Sequence, residues 1–200
     1  MKQIKRQVRI MSLVFVAVLV PSQRSLAAEH PVDLQHSTIR IHVGKAGLFS
    51  AAGHEHWVTA PIASGAVEED KPAHIFFTVQ AERMTVEPDK DLKPDQQVEV
   101  QRTMQDKVLE SAQYPEISFR SNSVQRTGAD TFVVKGDLAL HGQVHPVSAT
   151  VHRQENAYVG TSRFKQTTFG IHPVSVGGVV KVKDELEIQF SVVPASAETE

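Results

Sequence analysis

The sequence predicts an all-β domain, an antiparallel barrel of about eight strands with one short flanking helix. Apolar and polar residues alternate over most of the chain after residue 28, which is the pattern of half-buried strands. Polar residues on the second face of nearly every strand favour antiparallel pairing, because parallel strands are usually buried on both faces. Turn-forming residues separate these segments at short intervals, as they do in sandwiches and barrels.

The N-terminal segment has the features of a secretory signal peptide. Basic residues without any acidic residue precede an apolar run at 10–20, and small residues follow at 25–28. This order is typical of a cleavable signal peptide, and the run is shorter than the ~20 residues of a membrane-spanning helix. We expect residues 1–27 to be a signal peptide for export to the periplasm, residues 28–194 to form one domain, and residues 195–200 to be a disordered tail.

Composition restricts the classes of partner and site. The whole chain has a formal net charge of −2, and removal of the basic signal peptide makes it more acidic. A surface of this sign disfavours nucleic acid and also anionic lipid headgroups. The chain has no cysteine, so disulfides, thiolate zinc sites and a lipid-modified cysteine anchor are excluded.

The strands are predicted from their alternation, and each has one inward face. Inward residues form either a solid core or the wall of a cavity, because an eight-stranded barrel is wide enough to hold its own side chains or one small ligand. The predicted core or pocket residues are Ile39, Ile41, Val43, Phe77, Val79, Ile117, Phe119, Phe132, Leu138, Leu140, Ile188 and Phe190. Phe49, Phe164 and Phe169 are candidates for the mouth of a pocket.

One segment departs from the alternation and predicts a helix. Val100, Met104 and Val108 recur at a spacing of four residues, which places them on one helical face. Asp95 is the predicted N-cap, and the helix is expected to end before Tyr114, which precedes a proline. A single amphipathic helix would cover one end or one flank of the barrel.

Histidines offer an alternative function. His54 and His56 in a Gly-His-Glu-His segment would point to the same side of a strand, so they could supply two ligands to one metal ion. The third ligand would have to come from a distant residue such as His141, His145 or His172. The sequence has no Gly-x-Ser-x-Gly or His-Glu-x-x-His motif, and we assign no catalytic residue, metal ligand or cofactor.

An ordered set of motifs resembles a known family. The chain reads Asp33-Leu-Gln-His-Ser-Thr-Ile-Arg-Ile-His-Val43, then Tyr114-Pro-Glu-Ile-Ser-Phe-Arg-Ser121, Gly136-Asp-Leu-Ala-Leu-His-Gly-Gln-Val-His-Pro-Val147, Phe164-Lys-Gln-Thr-Thr-Phe-Gly-Ile171 and Val180-Lys-Val-Lys-Asp-Glu-Leu-Glu-Ile188. Together these segments resemble the YceI-like family of periplasmic, lipocalin-like polyisoprenoid-binding proteins. The resemblance implies an extended eight-stranded antiparallel barrel that holds a long isoprenoid chain.

The chain departs from the family pattern at two places, and its Gly-His-Glu-His segment suggests a histidine-containing variant of the family. The family commonly has Arg-Asp-x-His-Leu before its Tyr-Pro segment, whereas this chain has Glu99-Val-Gln-Arg-Thr-Met104 there, and it has Lys45 where many members have histidine. The resemblance implies a non-catalytic carrier, a monomer or homodimer, whose partner is an isoprenoid, quinone-like or other long-chain lipid. From the net charge we expect no nucleic-acid partner, and from the short apolar run we expect no transmembrane segment in the mature chain.

Overall fold

The computed structural model describes residues 29–46, 55–69, 73–176 and 180–195. The predicted signal peptide, Phe49 and His54 lie outside these residues. The described strands are β1 (Glu29–Pro31), β2 (Thr38–Ala46), β3 (His56–Thr59), β4 (Ile62–Glu68), β5 (His74–Gln80), β6 (Thr85–Val86), β7 (Glu116–Arg126), β8 (Thr131–Leu140), β9 (Gln143–Gln154), β10 (Ala157–Lys165), β11 (Ser175–Val176) and β12 (Val180–Val192).

The strands form one curled antiparallel sheet. Its order is β1-β4-β5-β7-β8-β9-β10-β12-β2-β3-β6, with β11 beside β12, and every described pairing is antiparallel. The predicted fold class is therefore confirmed. The long strands are β2, β4, β5, β7, β8, β9, β10 and β12, whereas β1, β3, β6 and β11 have four residues or fewer, too few to produce a detectable alternation.

The two termini of the domain meet at one end of the sheet. The Val32 amide donates to the Gly65 carbonyl of β4 (2.8 Å), and the Asp33 amide donates to the Val193 carbonyl after β12 (2.8 Å). Ala195, the first residue of the predicted tail, donates its amide to the Pro31 carbonyl at 2.7 Å. This segment therefore bridges β4 and β12, which holds the sheet in its curled form.

The flanking helix begins two residues earlier than the sequence predicts. Helix α1 spans Pro94–Thr103 and continues as a π-helical turn over Met104–Val108. Lys93 is the N-cap, and its amide donates to the Gln96 side chain at 3.0 Å. Pro94 is favoured in the first turn because its missing N–H would have no helical partner there. The predicted Asp95 cap is therefore wrong, and Asp95 lies inside the first turn.

Three glutamines fasten the helical segment to the edge of the sheet. Gln101 accepts from the Val86 amide of β6 (2.7 Å) and donates to the Met84 carbonyl (3.0 Å). Gln97 donates to the Glu87 carbonyl at 3.2 Å, and Gln105 donates to the Met84 carbonyl at 3.0 Å. We call Gln97, Gln101 and Gln105 the glutamine ladder. It satisfies backbone groups that an edge strand would otherwise leave unpaired.

Candidate functional site

The curled sheet and the helix enclose an apolar cavity of about 770 Å³. Among the described residues, every residue that the sequence predicts for the core, pocket or mouth lines this cavity, apart from Phe169. Phe169 is fully buried and packs edge-on against Phe164, a wall residue, with 5.2 Å between ring centroids. Phe169 therefore packs beside the wall residue Phe164 and is not itself among the residues that line the cavity.

Strand alternation aims the wall residues inward. On β8, Phe132, Val134, Leu138 and Leu140 all line the cavity, and Gly136 occupies the inward position between them. On β9 and β12 the inward sets are Val147, Ala149, Val151 and Leu186, Ile188, Phe190, Val192. These faces are apolar because they lie away from water on the concave side of the sheet.

Two wall phenylalanines lie against glycines of neighbouring strands. A Cβ atom on Gly136 would lie 2.6 Å from the Phe119 ring, and a Cβ atom on Gly160 would lie 2.5 Å from the Phe190 ring. Both distances are shorter than carbon atoms tolerate, so each ring occupies the space that a side chain would fill. Phe119 also stacks on Phe77 of β5, with ring centroids 5.4 Å apart.

The helical segment closes one flank of the cavity with its apolar side. Val100, Met104 and Val108 all line the cavity, as their spacing in the sequence predicts. The glutamine ladder lies at intervals of four residues on another side of the same segment. One helix therefore contributes apolar wall on one side and hydrogen bonds to the sheet edge on the other.

A register shift in β7 brings in wall residues that simple alternation misses. Pairing between β7 and β8 shifts between Ser121 and Ser123, so that Val124 and Arg126 line the cavity after Ile117 and Phe119. An extra residue in a strand reverses its inward and outward faces. The only sequence signal is the short polar run Ser-Asn-Ser, which does not by itself predict a bulge.

One end of the cavity is lined by a set of polar residues that the sequence analysis does not predict. We call Arg126, Arg153, Tyr158 and Glu69 the arginine end. Arg126 and Arg153 lie over the rings of Phe132 and Tyr158, with 5.6 and 5.8 Å from guanidinium carbon to ring centroid. The Tyr158 hydroxyl donates to Glu69 Oε1 at 2.6 Å. Burial and the neighbouring carboxylate raise the pKa of Tyr158 to about 12.

The other end of the cavity is formed beside the helix. Lys45, His56, Gln96 and Glu99 line it, and we call these residues the helix end. On β12 the two ends are far apart, because Lys45 pairs with Val182 and Tyr158 pairs with Val192. Ten residues of strand span roughly 30 Å, so the cavity is elongated.

A second, polar pocket of about 450 Å³ adjoins the helix end. Lys45 and His56 line both spaces. The remaining residues of this pocket are Glu55, Trp57, Glu87, Pro88, Asp89, Lys90 and Asp91. Carboxylates outnumber ammonium groups in this set, so the surroundings of the helix end are acidic.

The histidines do not converge on one point within the described residues. No group of three or more histidine, aspartate or glutamate side chains suited to a metal ion is found there. His141 Nε2 lies 2.6 Å from Glu110 Oε2, and His145 packs edge-on against Phe169. Because His54 lies outside the described residues, the predicted His54–His56 metal pair stays a prediction.

A family model for the YceI-like domain matches residues 31–193. The protein belongs to the YceI-like family. Among curated relatives, a UPF0312 protein of Vibrio cholerae is 27% identical over 89 residues, which are 40% of this chain and 47% of the relative. This YceI-like chain thus matches about half the length of that relative.

Solved structures share the fold of this YceI-like protein. Burkholderia cenocepacia BcnA superposes with a TM-score of 0.59 at 17% identity, covering 82% of this chain and 99% of BcnA. A domain of Saccharophagus degradans, described as polyisoprenoid-binding and implicated in plant cell wall breakdown, gives 0.55 at 12% identity, covering 83% and 98%. Within the described residues, no helix has the length and hydropathy needed to cross a membrane.

Proposed function

We propose that this YceI-like protein is a periplasmic, non-catalytic carrier of a long apolar lipid of the polyisoprenoid or quinone type. The observation that carries the proposal is the elongated apolar cavity of about 770 Å³. This volume lies within the range of about 300–1,000 Å³ that is usual for small-molecule sites. A structurally similar domain is described as polyisoprenoid-binding, which supports the same class of ligand here.

The wall supplies enough hydrophobic free energy for useful affinity. Burial of one methylene group stabilises a complex by about 0.8 kcal/mol. About ten such groups therefore give a gross gain of roughly 8 kcal/mol, the free energy of micromolar binding. A longer chain offsets the entropy lost on association. Binding of this kind needs a dry, apolar wall and no reactive side chain.

Export of the carrier to the periplasm is proposed from the N-terminal sequence. The basic, apolar and small-residue order of residues 1–28 supports secretion. Fractionation of cells that express the full chain tests this part separately. Recovery of a processed chain in the periplasmic fraction is expected, and retention of the unprocessed chain in the cytoplasm would contradict it.

The ligand proposal is tested by blocking the cavity from its wall. Ala149 faces the cavity, whereas its neighbour Ser148 is exposed on the opposite face of β9. Ala149→Trp therefore inserts a bulky ring into the lipid space, and Ser148→Trp adds the same ring outside. The proteins would be exported from a bacterial host and examined by native mass spectrometry.

We expect a bound lipid mass in the wild-type protein and in Ser148→Trp, and its loss in Ala149→Trp. Circular dichroism serves as the control for folding of both variants. A wild-type protein that is always empty and also rejects added polyprenyl lipids would refute the carrier function. Equal lipid content in both tryptophan variants would show that the lipid lies elsewhere.

A further inference from the structure

Together with Phe132, the arginine end draws one residue from each of four neighbouring strands. Arg126 of β7 pairs with Phe132 of β8, and Arg153 of β9 pairs with Tyr158 of β10. The Phe132 and Tyr158 rings meet edge-on, with 6.4 Å between centroids. Each guanidinium group therefore lies over one ring of an aromatic pair at the end of an apolar cavity. Such groups form strong, directional hydrogen bonds to phosphate and carboxylate oxygens.

A carboxylate of the protein already occupies this end. Glu69 accepts a hydrogen bond from the Tyr158 hydroxyl at 2.6 Å, and its second oxygen lies 4.0 Å from Arg153 Nη1. The Glu69 and Arg153 side chains are 43% and 49% exposed, so their pairing is weak and exchangeable with solvent. The Glu69 carboxylate thus marks a position where a small anion finds both a hydroxyl donor and a guanidinium.

Arg126 is held in place at the same end. Its Nε donates to the Gly128 and Ala129 carbonyls at 3.1 and 3.0 Å, and this fixes the guanidinium plane over the Phe132 ring. Glu68 and His74 complete the lining. A guanidinium fixed by its own turn needs little reordering when an anion binds beside it.

The two ends of the cavity differ in charge. The polar pocket beside the helix end contains Glu55, Asp89 and Asp91 together with two lysines, in addition to Glu87, which pairs with Arg40. An anionic group would meet repulsion there. The net negative charge of the chain acts over long distances and is screened by salt, whereas contacts with the arginine end act locally.

We infer that the arginine end binds the anionic headgroup of the lipid, a phosphate or a carboxylate, in competition with the Glu69 carboxylate. This inference rests on the proposed lipid-carrier function. It gives the bound lipid a direction: its head contacts Arg126, Arg153 and Tyr158, and its tail runs along the cavity toward the helix end. The headgroup displaces Glu69 without any covalent step.

The inference is tested by isothermal titration with three probes below their micelle concentrations. Geranylgeranyl phosphate and palmitate carry the two anionic headgroups, and geranylgeraniol carries none. The variants are Arg126→Gln, Arg153→Gln and Glu69→Gln. Lys135→Gln, on the exposed outer face of β8 and outside the cavity lining, is the matched control for loss of a positive charge, and Lys45→Gln tests the opposite end of the cavity.

Geranylgeranyl phosphate is expected to bind the wild-type protein at least tenfold more tightly than geranylgeraniol, since charge-assisted hydrogen bonds add about this much. Each arginine variant should lose about tenfold in affinity for the phosphate and less than about twofold for the alcohol. Glu69→Gln should bind the phosphate more tightly than the wild type does, and Lys135→Gln should bind it equally well. If the arginine variants weaken palmitate binding as much as phosphate binding, the site selects negative charge in general. If palmitate binds the wild-type protein no better than geranylgeraniol does, the site selects phosphate.

Two outcomes overturn the inference. Equal affinity for geranylgeraniol and both anionic probes would exclude an anionic headgroup and leave the carrier function intact. A preference for the phosphate that is lost in Lys45→Gln, but kept in both arginine variants, would place the headgroup at the wrong end. Failure of all three probes to bind would instead refute the lipid-carrier function on which the inference rests.

Discussion

Replacement of Gln101 by leucine tests how the helix is held over the cavity. In the wild-type protein this side chain accepts from the Val86 amide at 2.7 Å and donates to the Met84 carbonyl at 3.0 Å. Both residues are buried. Leucine has a similar size and a high helix propensity, so the substitution removes the two hydrogen bonds while keeping the helix.

The expected loss follows mainly from the buried Val86 amide, which loses its partner, because the Met84 carbonyl keeps its hydrogen bond from Gln105. A buried polar group left unpaired costs about 1–3 kcal/mol, and solvent at the sheet edge offsets part of this cost. We therefore expect the free energy of unfolding to fall by about 2 kcal/mol for Gln101→Leu. For a domain of this size, this loss corresponds to a decrease of roughly 4–8 °C in Tm.

Urea unfolding followed by circular dichroism gives the free energy, and amide hydrogen exchange at Val86 gives the local effect. Arg102→Leu is the matched control, because its side chain is adjacent in the helix and 66% exposed. Its effect should stay within about 0.5 kcal/mol. Unchanged stability and unchanged exchange at the Val86 amide in Gln101→Leu would refute the role of the glutamine ladder.

Two further predictions concern packing and pH. Gly160→Ala should lower the free energy of unfolding by about 1–3 kcal/mol through overpacking, because its Cβ would lie 2.5 Å from both a ring carbon of Phe190 and the Thr150 carbonyl oxygen. Gly128→Ala is the control, because the nearest contact of its Cβ would be at 3.4 Å. Equal Tm values for the two variants would contradict the steric argument. Hydrogen bonds from its arginine partner hold the pKa of Glu87 below the ordinary value of 4.5, so its contribution to stability is present above pH 4.5 and is lost as the pH falls through the lower folded pKa. The free energy of unfolding, measured in urea, should change less between pH 7 and pH 3 in Glu87→Gln than in the wild type, by up to about 1 kcal/mol. The same change in the wild type and in Glu87→Gln would exclude this contribution.

The sequence predicts the sheet well because a strand that is buried on one face has alternating apolar and polar residues. Strands β2, β5, β8 and β12 each show several inward apolar residues, and those side chains line the cavity. The alternation does not distinguish a solid core from a cavity, since both need the same apolar face. That distinction depends on the curvature of the whole sheet, which no local pattern encodes.

Other parts of the site depend on interactions between distant segments. Arg126 faces inward only because β7 shifts register after Ser121. Arg153 lies over the ring of Tyr158, which belongs to the next strand. The choice of Lys93 as N-cap, in place of the predicted Asp95, depends on competition between neighbouring caps. The glutamine ladder does leave a signal, a spacing of four residues, but its meaning requires knowledge of the strand edge beside it.

The two glycines beneath Phe119 and Phe190 affect the width of the apolar cavity. The two rings lie against the backbone of Gly136 and Gly160. They therefore stay close to the sheet and extend less far into the cavity than they would beside larger residues. Family members with larger residues at these positions should have a narrower channel even if the rest of their wall is identical. The width of the cavity can therefore depend on positions that are not part of its lining.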